Sequence, residues 1–130
     1  MNPETNPLWV VTSYYNPAGY RRRLSNFQAF RRNLKAPLVV VELAKEGEHQ
    51  LRHEHGDKVI QLTGDSHIWQ KERLLNIAIA SLPRYVKYVA WIDCDVAFER
   101  NDWGEQAISK LEKNGGVLQL FETVIHCPKD

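Results

Sequence analysis

The run PLVVVEL, from Pro37 to Leu43, constrains the fold of this chain more than any other stretch. A half-buried strand alternates polar and apolar residues, whereas a near-continuous run of branched apolar residues needs cover on both faces. Three more runs have this character: LWVVTSY (Leu8 to Tyr14), KVIQL (Lys58 to Leu62) and YVAWID (Tyr88 to Asp93). A fifth, VLQLFETVI (Val117 to Ile125), also reads as a strand. Helical periods lie between most of them. Leu24, Phe27, Phe30 and Leu34 recur at three- and four-residue steps within Ala18 to Leu34, and Ile68, Leu75, Ala78, Ile79 and Leu82 do so within Ser66 to Leu82. Asp65 or Ser66 is placed to cap that second helix, and Pro83 follows its end. A shorter helix is expected from Trp103 to Lys113, closed by Asn-Gly-Gly. Ala44 to Asp57 is polar and aperiodic, a loop with room for one helical turn.

The order β-α-β-loop-β-α-β-α-β predicts an α/β fold: a Rossmann-like, three-layer α/β/α arrangement around a mostly parallel sheet. Right-handed crossovers put the second and third strands on one side of the first, and the fourth on the other. The first and fourth strands then flank a topological switch point, and ligands bind there, outside the carboxyl ends of the strands. Two segments fall at that point: Thr12 to Asn16, and Asp93 to Asp95.

The 130 residues suit one domain with a real core. A net charge of +1 gives no general attraction to nucleic acid or acidic membranes. Two cysteines, Cys94 and Cys127, make neither a disulfide framework nor a metal-binding spacing, which fits a reducing, cytoplasmic setting. The start MNPETNPLWVV lacks a signal-peptide profile, and no apolar run approaches the ~20 residues of a membrane span. Gly-x-Gly-x-x-Gly, Gly-Lys-Ser/Thr and Gly-x-Ser-x-Gly are all absent, against dinucleotide oxidoreductases, P-loop NTPases and α/β-hydrolases.

Asp93 and Asp95 carry hard oxygen ligands suited to Mg²⁺ or Mn²⁺. An Asp-x-Asp triplet also occurs as a plain water-facing strand end, and it is the position after the fourth strand that favours the metal. Arg21, Arg22 and Arg23 open the first helix, where cations are mildly unfavourable unless an anion is near. Arg22 is taken as a diphosphate contact. With Arg31 and Arg32 the triplet could instead form a nucleic-acid patch, a minor reading given the charge balance. Glu42, at the end of the second strand, could accept a nucleobase N–H or be an ordinary strand-end acid. His49, His53 and His55 crowd one loop, but no further ligand completes a zinc pattern. Glu122 and His126 read as structural.

These residues resemble the nucleotide-sugar-binding half of GT-A-fold glycosyltransferases of the family 2-like, bacterial or phage type. The specific part is KERLLNIAI leading into a strand that ends in Asp-x-Asp, within IWQKERLLNIAIASLPRYVKYVAWIDCDVAFERNDW. VVTSYYNPAGYRRRLSNFQAFRRNL and GGVLQLFETVIHCPKD resemble the flanking segments, in the right order along nearly the whole chain. The resemblance implies that Thr12, Ser13 and Tyr14 cradle the nucleoside and Glu42 meets the base. Lys71, with Trp69 beside it, would lie near the nucleotide, Asp93 would contact ribose or metal-bound water, and the Cys94 backbone would lie against the ribose. Asp95 would ligate Mn²⁺ or Mg²⁺, with Asp93 as a second metal candidate. It implies transfer from a UDP- or GDP-linked sugar to an acceptor hydroxyl of a glycan, lipid or protein. Residues 1–130 would then be one donor-binding domain, with the catalytic base and acceptor half expected outside them. The alternative is a non-catalytic or partner-dependent nucleotide-sugar-binding fragment. A sheet edge and an apolar face would favour homo-oligomers.

Overall fold

Val39, Val40 and Val41 are wholly excluded from water, as the continuous apolar pattern requires. The computed structural model describes residues 2–64 and 70–128. Along the chain run β1 (Leu8–Tyr15), α1 (Arg21–Asn33), β2 (Leu38–Ala44), a single 3-10 turn (His53–His55), β3 (Lys58–Thr63), α2 (Lys71–Ala80), β4 (Tyr88–Trp91) and α3 (Trp103–Asn114). The sheet order is β3-β2-β1-β4 and every pairing is parallel. This is a small α/β fold with the strand order that the crossover rule predicts.

Side chains alternate between the two faces of the sheet. Leu8, Val10 and Tyr14 of β1 and Leu38 and Val40 of β2 pack with Phe27 and Phe30 of α1 and Trp103 and Ala107 of α3. Trp9, Val11, Val39, Val41 and Leu43 pack with Leu74, Leu75 and Ala78 of α2. Phe27 sits at the centre of the first cluster, edge-on to Tyr14 with ring centroids 5.4 Å apart. Phe98 stacks on Trp103 at 4.4 Å and pins the start of α3. Asp57 ties the layers together: its carboxylate accepts the Leu38 N–H at 2.8 Å and pairs with Arg31 at 3.2 Å.

Three expectations need correction. Val117 to Ile125 forms no strand. Leu118 and Leu120 pack against the first cluster, but Val117 is 100% and Ile125 86% exposed. Chain direction changes at Gly115 and Gly116, both with positive φ, and no strand edge pairs with the segment that follows. Strand propensity without a ladder partner does not make a strand. Second, β3 and β4 are the sheet edges and only partly covered, so cover on both faces holds for β1 and β2 alone. Third, β4 ends at Trp91 and not at Asp93, which places both acids in the turn beyond it. The expected caps Asp65 and Ser66, and Trp69, lie outside the described residues. Among the described residues no helix is long and apolar enough to cross a membrane.

Phe27→Ala should lower stability by about 3–5 kcal/mol in chemical denaturation, the cost of emptying an aromatic core site. Ile125→Ser should change it by less than about 0.5 kcal/mol, as at an ordinary surface position. A large loss at Ile125 would show that this segment is packed.

Candidate functional site

The carboxyl ends of the four parallel strands gather the chemistry of this chain. After β4, Ile92 donates its N–H to the Val11 carbonyl at 3.3 Å and buries its side chain, so the chain is still held to β1 as it turns. Asp93, Cys94 and Asp95 follow, with Val96 N–H returning to the Asp93 carbonyl at 3.4 Å. Both carboxylates face water, and Cys94 between them points to the core. Local sequence explains this alternation. Ile92, Cys94, Val96 and Phe98 alternate with Asp93, Asp95, Ala97 and Glu99, and the first set packs inward.

Lys71, the first residue of α2, sets its ammonium on the Asp93 carboxylate. A cation at a helix N-terminus is mildly unfavourable, and the neighbouring acid offsets that. The Asp93 side chain is 57% exposed, so as a surface pair this contact contributes at most about 1 kcal/mol. Its larger consequence is positional, since it draws α2 and the β4 turn together over the end of β1. Asp95 has no ion pair or hydrogen bond among the described residues, which makes it the freer carboxylate of the two.

Of the three arginines, Arg23 turns back to the sheet, donating from Nη1 to the Tyr15 carbonyl at 2.7 Å. Arg22 is exposed on the outer side of the first turn of α1, where its carbonyl accepts from the Ser25 hydroxyl. Burial pushes the Cys94 thiol up to about 12, with the Asp95 and Asp93 charges adding to the rise and Arg23 opposing it.

On the other side of β1 the strand ends are polar but closed. Thr12 is buried, and its hydroxyl has no partner among the described residues, at a cost of about 1–3 kcal/mol. Ser13 is half-buried. Tyr14 is buried and donates its hydroxyl to Gln50 Oε1 at 2.7 Å; desolvation raises its pKa above the ordinary tyrosine value. Glu42, in register with Tyr14, is 1% exposed. Its carboxylate accepts from the Gln50 N–H at 2.8 Å, the Leu51 N–H at 3.1 Å and Gln61 Nε2 at 3.0 Å. A buried carboxylate needs such donors, and here two come from the loop that β2 leads into and the third from β3 beside it. Tyr15, Asn16, Pro17, Ala44, Lys45, Glu48 and Gly64 line a cleft beside these ends.

Two of the three histidines of this loop serve the backbone. His49 Nε2 donates to the Leu62 carbonyl at 2.9 Å, His55 Nδ1 accepts the Arg52 N–H at 2.8 Å, and His53 is exposed. Among the described residues no group of three or more His, Cys, Asp or Glu side chains gathers as a metal site.

Thus Asp93, Cys94, Asp95 and Lys71 come together at one side of β1, and Tyr14 and Glu42 at the other. Three site residues were not singled out from sequence: Arg23 over its neighbours, Asn16 and Gln50. Asn16 carried a signal, since Asn-Pro after a strand marks a turn in which the Asn side chain bonds its own backbone. Its Oδ1 accepts the Tyr20 N–H at 3.1 Å. Gln50 lies in an aperiodic loop and carried none.

Compared with models of protein families, with curated proteins and with solved structures, the chain matches none.

The two thiols should separate cleanly at pH 8. Cys127 is exposed and open to an alkylating reagent, whereas Cys94 should stay protonated and react slowly. Mass mapping of the labelled peptides checks this; equal labelling would contradict the buried Cys94.

Proposed function

We propose that this chain is a donor-binding glycosyltransferase domain that holds a UDP- or GDP-linked sugar with a divalent metal ion in the cytoplasm. The carrying observation is the Asp93-Cys94-Asp95 turn, which follows β4 directly beside β1 with Lys71 of α2 set on Asp93. Parallel sheets take their ligands at that switch point. In this reading the sheet and its helices are a three-layer, Rossmann-like GT-A fold, and the sequence resemblance agrees with it.

The donor set suits Mn²⁺ or Mg²⁺. Two water-facing carboxylates one residue apart, with no third protein ligand among the described residues, match ions that keep several waters and complete their shell with phosphate oxygens. Asp95 would be the main ligand, and Asp93, shared with Lys71, the weaker one. Bound there, the ion would neutralise charge on the departing nucleoside diphosphate while an acceptor hydroxyl attacks the anomeric carbon. Lys71 and Arg23 bring further positive charge to the same end of the sheet. The cleft beside Asn16 and Lys45 lies across the end of β1 from the acids. A nucleotide laid over that end would have its base on the β2 side and its diphosphate on the β4 side. Thr12 and Ser13 would then act through the backbone, Tyr14 and Glu42 by shaping the loop above. The free state of both cysteines fits the reducing compartment.

Calorimetry with UDP and GDP, with and without Mn²⁺, tests the reading. Metal-dependent binding of one of them is expected, and Asp95→Ala should remove the metal dependence while leaving the fold intact. Absence of metal-dependent binding to any nucleoside diphosphate would sink it. Slow hydrolysis of a nucleotide sugar, lost in Asp95→Ala, would separate a catalytic domain from a non-catalytic binding fragment.

A further inference from the structure

From the hydrogen bonds around the Ala44 to Asp57 loop, we infer that Gln50 is the base-reading residue of the proposed donor site, donating from Nε2 to a keto oxygen. The inference rests on the donor-site reading and assigns its nucleotide specificity. The geometry fixes which end of the Gln50 amide faces inward. Asn16 is set by the main chain of Tyr20, accepting its N–H through Oδ1 at 3.1 Å and donating to its carbonyl through Nδ2 at 2.9 Å. With the orientation of Asn16 determined, its Nδ2 can only donate to the Gln50 atom 3.0 Å away, so that atom is Oε1. The Tyr14 hydroxyl donates to the same oxygen at 2.7 Å.

Nε2 is left as the free end of the amide. It has no hydrogen-bond partner among the described residues, and it is not among the buried polar atoms that lack one, so it reaches solvent. Gln50 is also held firmly as a whole. Its backbone N–H is bonded to Glu42 Oε2 at 2.8 Å, and Glu42 in turn holds Leu51 and Gln61. The loop is closed by Gln61 Nε2 on the Leu51 carbonyl at 2.8 Å. Glu42 is therefore a positioning residue, and the oriented donor it presents is Gln50 Nε2. The site lies at the carboxyl end of β1 and β2, beside the cleft that Asn16 lines.

An amide N–H donor accepts uracil or guanine, which offer a keto oxygen, and disfavours cytosine or adenine, which offer an amino group in the corresponding place. One hydrogen bond gained in place of a donor–donor clash corresponds to roughly tenfold in affinity.

The test is calorimetry in Mn²⁺ with UDP, CDP, GDP and ADP on the full chain. Wild type should bind the keto member of a pair about tenfold more tightly than its amino partner. Gln50→Glu keeps an inward oxygen for Tyr14 and Asn16 but turns an acceptor outward, and should erase or reverse the preference. The ratio within a pair cancels any repulsion between the new charge and the diphosphate. Gln50→Met, which removes both ends, should abolish the preference without reversing it, and thermal melts establish that each variant is folded. Equal binding of UDP and CDP, and of GDP and ADP, by wild type overturns the inference and leaves the donor site standing. A preference that survives both substitutions also overturns it. Binding of none of the four overturns the donor-site reading and the inference with it.

Discussion

β1 and β2 lose nearly all contact with water, and the placement of every other element follows from covering them. Both strands present apolar residues to both faces, so helices must lie on each side. α1 and α3 supply one cover and α2 the other. A chain that returns each time to make a parallel neighbour has to cross over a face, and right-handed crossovers then dictate the order β3-β2-β1-β4. All four strands consequently end on the same side. The burial of a few valines thus determines where Asp93, Asp95, Glu42 and Tyr14 meet.

At that side the protein treats its carboxylates in two ways. Glu42 is enclosed and satisfied by two backbone donors of the loop that follows β2 and by Gln61 of β3, which makes it an anchor. Asp93 and Asp95 remain in water, one sharing a lysine and the other unpaired among the described residues. An enclosed acid with three donors is expensive to disturb, whereas an exposed acid with none is available to a cation from solution. The contrast separates the residues that hold the site from those that would bind.

Much of the fold was legible because burial on both faces leaves a strong mark. Val39 to Val41, and the Leu24, Phe27, Phe30 and Leu34 period, each specify an element almost unaided. The position of the Asp-x-Asp turn was legible because it follows the fourth apolar run, although β4 is an edge strand and only partly covered. Val117 to Ile125 misled because its apolar content describes a segment that could be a strand, and only a partner edge makes one. The roles of Glu42 and Gln50 were not legible. A carboxylate at the end of a strand looks the same in sequence whether it faces a ligand or a loop, and the choice depends on the backbone of residues 50 and 51. Nor could three adjacent arginines be told apart, because which one reaches the Tyr15 carbonyl depends on the phase of α1.

The central claim is that a nucleoside diphosphate and a divalent ion bind together across the end of β1. Amide NMR during addition of UDP or GDP with Mn²⁺ tests it most directly, because the paramagnetic ion broadens signals near it. The account predicts broadening confined to the Asp93–Val96 turn and the start of α2, with nucleotide-induced shifts at Asn16 and Gln50. Broadening centred elsewhere, or none above that of the ion in buffer, would contradict it.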